Sequence, residues 1–164
     1  MGQAAIDQAA FRQVLGNYPT GVAVITAMTE GGTPVGMVVG TFTSVSITPP
    51  LVGFLPGKYS ASWPLIEASG HFCVNVLARD QLELCKQLAQ SGPDKFVGVN
   101  YSVSSHGLPV LPDTMVSIEC RLHAVQDAGD HWFVTGQVLG LESHREADPM
   151  LFHRGQYGGF SANS

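Results

Sequence analysis

Charge is scarce in this 164-residue chain. Asp, Glu, Lys and Arg together make up 13% of it, against about 25% in ordinary globular proteins, so an unusually apolar exterior is expected, part of it covered by a second subunit in a homodimer. Only 8 residues are Lys or Arg against 13 Asp or Glu, giving a formal net charge of −5. No basic cluster occurs, which argues against nucleic acid, because phosphates need Lys and Arg gathered on one face. Long hydrophobic runs are missing too. No stretch of about 18 apolar residues is present to span a bilayer, and the opening MGQAAIDQAAF has neither the basic nor the apolar segment of a secretion signal. Ile6 stands where a myristoylation site wants Ser or Thr. The reading is a cytoplasmic protein without a membrane partner.

Cysteine is nearly absent. Cys73, Cys85 and Cys120 are odd in number and far apart, so neither a disulfide framework nor a zinc site follows, and buried thiols are expected. His71, His106, His123, His144 and His153 lack close ligand spacing, and no metal is expected. Neither GxGxxG nor GxxxxGK[ST] occurs, so any nucleotide must be held without those glycine loops. The HExxH, CxxC, GxSxG and EF-hand patterns are missing as well, against metal hydrolase, thiol redox and serine hydrolase chemistry.

What is abundant is turn material: 19 glycines and 10 prolines punctuate β-branched runs, and the length fits one domain over 1–164. Asp7 is placed to cap a short helix with Ala10, Phe11, Val14 and Leu15 on one stripe, Ile6 and Phe11 at staple positions and Gly16 as its stop. GVAVITAM (21–28), a turn at Glu30 to Gly32 and a strand from Pro34 through Ser46 make a hairpin. Pro49 and Pro50 interrupt before LVGF (51–54). Ser60 or Ser62 is the candidate cap of a short helix that ends at Gly70, with Pro64 near its start. HFCVNVL (71–77) reads as a strand, and Asp80 as the cap of QLELCKQLAQ. Residues 115–124 alternate apolar and polar, as a half-buried strand does. AGD (128–130) then turns into HWFVTGQVLGLES, and MLFH (150–153) makes a last short strand. Six or seven strands joined mostly as hairpins predict a mainly β fold, an antiparallel barrel with flanking helices and Greek-key character.

Within GMVVGTFTSVSITPP (36–50), small side chains and hydroxyls sit where a buried strand would carry bulk. A flat ligand lying against the main chain accounts for this, and so does an edge strand packed on a neighbour. Trp63 and Trp132 are open to two readings in the same way, stacking on a ring or filling a core.

The order of segments resembles the flavin reductase-like family with the FMN-binding split β-barrel, in particular the small reductase components of two-component flavin monooxygenases that hydroxylate aromatic rings. The matching pieces are FRQVLGNYPTGVAVIT, GMVVGTFTSVSITPPLVGF, SGHFCVNVL, DKF at 94–96, GDH at 129–131 and PMLFHRGQY, covering about Phe11 to Tyr157. Each alone is weak, and six in order are specific.

The resemblance implies an NAD(P)H:flavin oxidoreductase that reduces FMN or FAD, with NADH or less often NADPH as co-substrate, and passes reduced flavin to a separate oxygenase. It implies that Val39, Gly40, Thr41 and Phe42 meet the flavin ring with Ser46 nearby, that Lys58, Ser60, Ser62 and Trp63 surround the ribityl phosphate, and that Lys95 and Phe96 close the site. It implies that His131 receives the nicotinamide dinucleotide, beside Arg154 and Tyr157. Val38 and Gly40 depart from the family, standing where many members carry a polar side chain. Lys58, Lys95 and Arg154 are three of only eight cations, and all fall in these segments, where they can face phosphates. Main-chain N–H groups from 40 to 46 are the candidates to steady charge near flavin N1 and O2. The competing expectation is a non-catalytic flavin- or haem-binding split barrel, an electron carrier or sensor.

Overall fold

The structure, a computed structural model, describes Gly2 and residues 4–164, so Met1 and Gln3 of the N-terminal reading lie outside the described residues. Helix α1 (Gln8–Leu15) begins where expected: Asp7 Oδ2 accepts a hydrogen bond from the Ala10 N–H at 3.1 Å, and Gly16 ends the helix. Its apolar stripe finds no core, for Phe11, Val14 and Leu15 are all exposed.

The expected strand 21–28 is two. β1 (Thr20–Gly21) pairs with β11 (Leu151–His153), which pairs with β12 (Gln156–Gly158) in a small three-stranded sheet. β2 (Ala23–Met28) enters the main sheet with β3 (Pro34–Val39), β4 (Thr43–Ser46), β5 (Leu51–Phe54), β6 (His71–Val76), β9 (Val116–Ala128) and β10 (His131–Ser143). Thus MLFH supplies a strand outside the main sheet. β7 (Ser102–Val103) and β8 (Pro109–Val110) form a short separate hairpin.

The main sheet has the order β3-β2-β6-β9-β10-β5-β4, antiparallel at every pairing. β5 lies beside β10 rather than beside β6, its successor in the chain, which is the Greek-key return. β3 and β4 occupy opposite edges, yet only residues 40–42 separate them in the chain. Four Cα–Cα steps span at most about 15 Å, whereas seven flat strands at about 4.8 Å spacing would hold their edges about 29 Å apart. The sheet must therefore curl until its edges approach, a barrel left unpaired between β3 and β4. Here the single strand expected over 34–46 is corrected: the chain crosses from one edge to the other at Gly40–Phe42.

β2 is buried on both faces, one serving each of two cores. Ala23, Ile25 and Ala27 join Phe54, Trp63, Ile66, Phe72, Val74 and Val134 inside the barrel. Val22 and Val24 face Leu77, Cys85, Leu88, Leu111 and Met150, under α3 (Leu82–Leu88). Such double burial explains the unbroken apolar run. Between the layers Asn75 Nδ2 donates to Val24 O at 3.1 Å and to Thr26 Oγ1 at 3.0 Å, while its Oδ1 accepts from the Leu111 N–H at 2.9 Å. Cys73, Cys85 and Cys120 are free and buried; burial, aided by the nearby Glu119 charge, pushes the Cys73 thiol up to about 12.

α2 (Trp63–Ser69) lacks a side-chain bond from Ser62 and ends at Gly70, where φ is 71°. Ser60 Oγ instead accepts from the Trp63 N–H at 3.3 Å. Asp80 does not cap α3. It lies in a 3-10 turn, Arg79–Gln81, where its carboxylate accepts two hydrogen bonds from Arg145, at 3.0 and 2.6 Å. On β9 the alternation fails near the strand start: Ser117 is buried against His144 at 2.8 Å, and Glu119 Oε2 meets His106 Nδ1 at 3.0 Å. Connecting segments cover that face, so polar residues there are half-buried in pairs instead of solvated.

Gly136 sits at a register shift of β10, and a Cβ there would overlap the Phe72 ring and come within 2.9 Å of Cys120 Cβ. Gly136→Ala is expected to cost about 1–3 kcal/mol by overpacking, and Gly31→Ala, with its nearest neighbour at 3.9 Å, to stay within about 0.5 kcal/mol. Urea unfolding midpoints compare the two, and equal midpoints would contradict this packing.

Candidate functional site

A cleft of about 780 Å³ opens along the unpaired edge of β3. One wall is β3 with Gly40 and Thr41; opposite stand the 55–62 loop, Leu65 of α2 and His131 at the start of β10, and the floor includes Leu88 and the segment to Phe96. The edge offers main chain, and its alternation follows from the hairpin turn. Thr29 N–H bonds Thr33 O at 2.9 Å, so Val35, Met37 and Val39 exchange bonds with β2 while Gly36 and Val38 turn theirs to the free edge. Lys95 Nζ occupies one of these acceptors, reaching Gly36 O at 3.3 Å, and it also donates to Ser62 Oγ at 3.2 Å. It thereby bridges the cleft walls, and partial burial holds its ammonium below the ordinary lysine value. Among the described residues no other Lys or Arg lines the cleft.

The missing side chains at 36 and 40 have local causes. A Cβ at Gly40 would stand 2.7 Å from Thr20 Oγ1, and one at Gly36 would stand 3.1 Å from both Ile25 O and the Phe96 ring. The chain's own neighbours exclude bulk there, and the result is a wall of exposed backbone. Thr41 adds no free hydroxyl acceptor to it without sharing, since its Oγ1 already accepts from the Leu55 N–H at 3.0 Å.

Of the residues singled out in the sequence, Val39, Gly40, Thr41, Ser60, Ser62, Lys95, Phe96 and His131 line this cleft. The others lie elsewhere. Phe42 packs against the barrel core and Ser46 pairs with Leu51 on β4. Trp63 is 2% exposed, edge-on to Phe54, a core residue. Arg154 donates from Nε to Asn17 Oδ1 at 2.8 Å and Tyr157 packs on Phe152, both on the small sheet. Lys58 turns to the tip of the β9–β10 hairpin, where it pairs with Asp127 and lies 4.5 Å above the Trp132 ring.

That tip carries His131. The Lys58 N–H bonds Asp130 O at 2.9 Å, Trp132 N–H bonds Pro56 O at 2.9 Å, and Gly57 bridges His131. Lys58 is thus a positioning residue for His131. Asp130 Oδ1 accepts from His131 Nδ1 at 2.7 Å, a bond that holds the Asp130 carboxyl below the usual range. Nε2 has no partner among the described residues, and the ring is half-exposed. Tyr59, Gly57 and Leu65 also line the cleft and went unmarked in the sequence. Tyr59 lay between two chosen residues, but one exposed tyrosine in a loop carries no periodic signal. Among the described residues no three His, Cys, Asp or Glu side chains gather as a metal site.

Comparison with known proteins gives this architecture its relatives. A flavin reductase of Pseudomonas putida is 52% identical over 98% of this chain and 94% of its own. The FMN reductase (NADH) SmoA of Agrobacterium fabrum is 42% identical over 92% of this chain and 85% of its own. Nitrilotriacetate monooxygenase component B of Mycobacterium thermoresistibile, a solved structure, superposes with a TM-score of 0.91 at 44% identity, covering 94% of this chain and 87% of the other. The family model for the flavin reductase like domain matches residues 15–161. With that match spanning all three sheets and every wall of the cleft, the chain belongs to the flavin reductase-like domain family.

Proposed function

We propose that this protein is the reductase component of a two-component monooxygenase, oxidising NADH or NADPH, reducing FMN or FAD, and delivering reduced flavin to a separate oxygenase. The observation that carries this reading is the cleft: flat main chain on one side, and on the others aliphatic and aromatic surface, the hydroxyls of Tyr59, Ser60, Ser62 and Ser91, and one ammonium. These residues fit a tricyclic ring with a phosphate-bearing tail. The volume of about 780 Å³ lies in the usual range for small-molecule sites, about 300–1,000 Å³.

A bound flavin would supply the hydride acceptor for the nicotinamide nucleotide, chemistry that needs no protein acid or base. The chain's task is alignment. In this reading Val38 and Gly36 present main-chain groups from the β3 edge to the ring, and Val39, Gly40 and Thr41 back it. Ser60, Ser62 and Lys95 face the ribityl chain and phosphate, and Phe96 closes the floor. His131, held from behind by Asp130, stands across the cleft for the dinucleotide. Lys58 and Trp63 serve indirectly, one by anchoring the His131 turn and the other as core.

The exposed stripe of α1 is supporting evidence for a homodimer. Phe11, Val14 and Leu15 lie open on a capped, regular helix, with Ile6 and Tyr18 exposed just before and after it, and a second copy would remove them from water. Because its reductant is a nicotinamide nucleotide, we place the protein in the cytoplasm. No helix among the described residues is long and apolar enough to cross a membrane.

Three outcomes are expected. Absorbance at 340 nm should fall when NADH is mixed with the protein and FMN or FAD, and no flavin-dependent rate with either nucleotide would reject the reading. Lys95→Met should weaken flavin binding about ten- to a hundredfold, the range for losing one charge-assisted bond, as followed by flavin fluorescence; an unchanged titration would remove Lys95 from the site. Light scattering should give twice the 17.4 kDa chain mass for the parent and a smaller species for Phe11→Ser with Leu15→Ser, whereas a parent monomer would end the homodimer proposal.

A further inference from the structure

Tyr59 is out of place for a large aromatic: it is 83% exposed, at the mouth of the cleft, on a turn closed by Ser60 N–H bonding Gly57 O at 3.1 Å. One contact and one space nevertheless orient its ring. It meets His131 edge to face, with centroids 6.3 Å apart and planes at 80°. It also occupies the space where residue 57 would carry a side chain, since a Cβ on Gly57 would come within 2.8 Å of Tyr59 Cζ and 3.0 Å of its Cε1. The tyrosine and the imidazole thereby form a right-angled corner facing the β3 wall. A flat ring entering that corner meets the face of one aromatic and the edge of the other, the arrangement that aromatic pairs favour.

We propose that Tyr59 and His131 together form an aromatic corner that captures the nicotinamide dinucleotide, with Gly57 required because it leaves room for the Tyr59 ring. This rests on the flavin reductase reading. Three features favour the dinucleotide over the flavin as occupant. The corner lies across the cleft from the β3 backbone, at the solvent side. A co-substrate that arrives and leaves in each turnover is met by exposed groups, whereas a ring packed on the β3 edge is not. The Tyr59 hydroxyl has no partner among the described residues, so the ring and its oxygen both stay open to an incoming molecule.

The corner is tested by steady-state kinetics with NADH at saturating flavin, alongside flavin titration by fluorescence. Tyr59→Ala should raise KM for NADH about three- to tenfold, the loss expected for one aromatic contact, with little change in kcat or in flavin affinity. Tyr59→Phe should restore KM to within about twofold, because the ring is kept. Gly57→Ala, which retains Tyr59 but displaces its ring, should raise KM in the same direction. Thermal melting checks that each variant is folded, and a residue so exposed is not expected to lower the midpoint appreciably. A parent-like KM in Tyr59→Ala overturns the corner while the parent's flavin-dependent oxidation of NADH stands. An effect on flavin titration in place of KM also overturns it, assigning the ring to flavin. A parent without flavin-dependent NADH oxidation removes the reading beneath it, and the corner falls with it.

Discussion

The constraint on which the structure depends is the short link from Gly40 to Phe42. Two edge strands of a seven-stranded sheet are joined by three residues, so the sheet cannot lie flat. Curling creates the enclosed core around Phe54, Phe72 and Ile25. The same link prevents complete closure, because β3 and β4 diverge from it without pairing. An unpaired edge ordinarily invites another chain to add a strand. Here much of it is occupied by a cleft, with Lys95 bonded to one outward carbonyl.

The other half of the site depends on the β9–β10 hairpin. Each of its strands has 13 residues, far more than its neighbours, and its tip projects beyond β5 to the 56–58 loop. Lys58 holds that tip three ways, by its main-chain N–H to Asp130 O, its ion pair with Asp127 and its ammonium above Trp132. Exposed ion pairs contribute little individually, and the contribution of Lys58 is geometric: it fixes which side of the cleft His131 faces. One wall is thus set by the sheet's failure to close, and the other by a hairpin long enough to reach it.

How much of this was legible in the sequence depends on whether the signal was local. The Asp7 cap, the Gly70 stop and the turn at Gly129 were readable because each is a few residues of chemistry. The β2 run was readable as a strand, but not its split at Val22, which arises because β1 joins another sheet. Residues 34–46 read as one strand for a related reason: the residues on both sides of Gly40 have β character, and only sheet order reveals that they lie on opposite edges. Asp80 looked like a cap from its neighbours, yet Arg145, 65 positions away, holds its carboxylate. The cleft residues were found through the order of six motifs, while Lys58 and Trp63 came with the same motifs and proved to support the walls instead of lining them. Tyr59 became visible only through the space beside Gly57.

The scarcity of charge noted at the outset acquires a use in the cleft. Lys58, Lys86, Arg145 and Arg154 have partners in Asp127, Glu83, Asp80 and Asn17, Arg121 bonds Gln137, and Lys95 is the cation left on the cleft wall among the described residues. A phosphate-bearing ligand can therefore meet one ammonium there, already sharing its protons with Gly36 O and Ser62 Oγ. Binding in such a site draws on ring area and main-chain bonds more than on charge, so it depends weakly on salt and chiefly on how well the ring lies along β3. In the proposed role of a reductase that gives up its product to another protein, a wall of backbone with a single cation would provide alignment without a phosphate clamp.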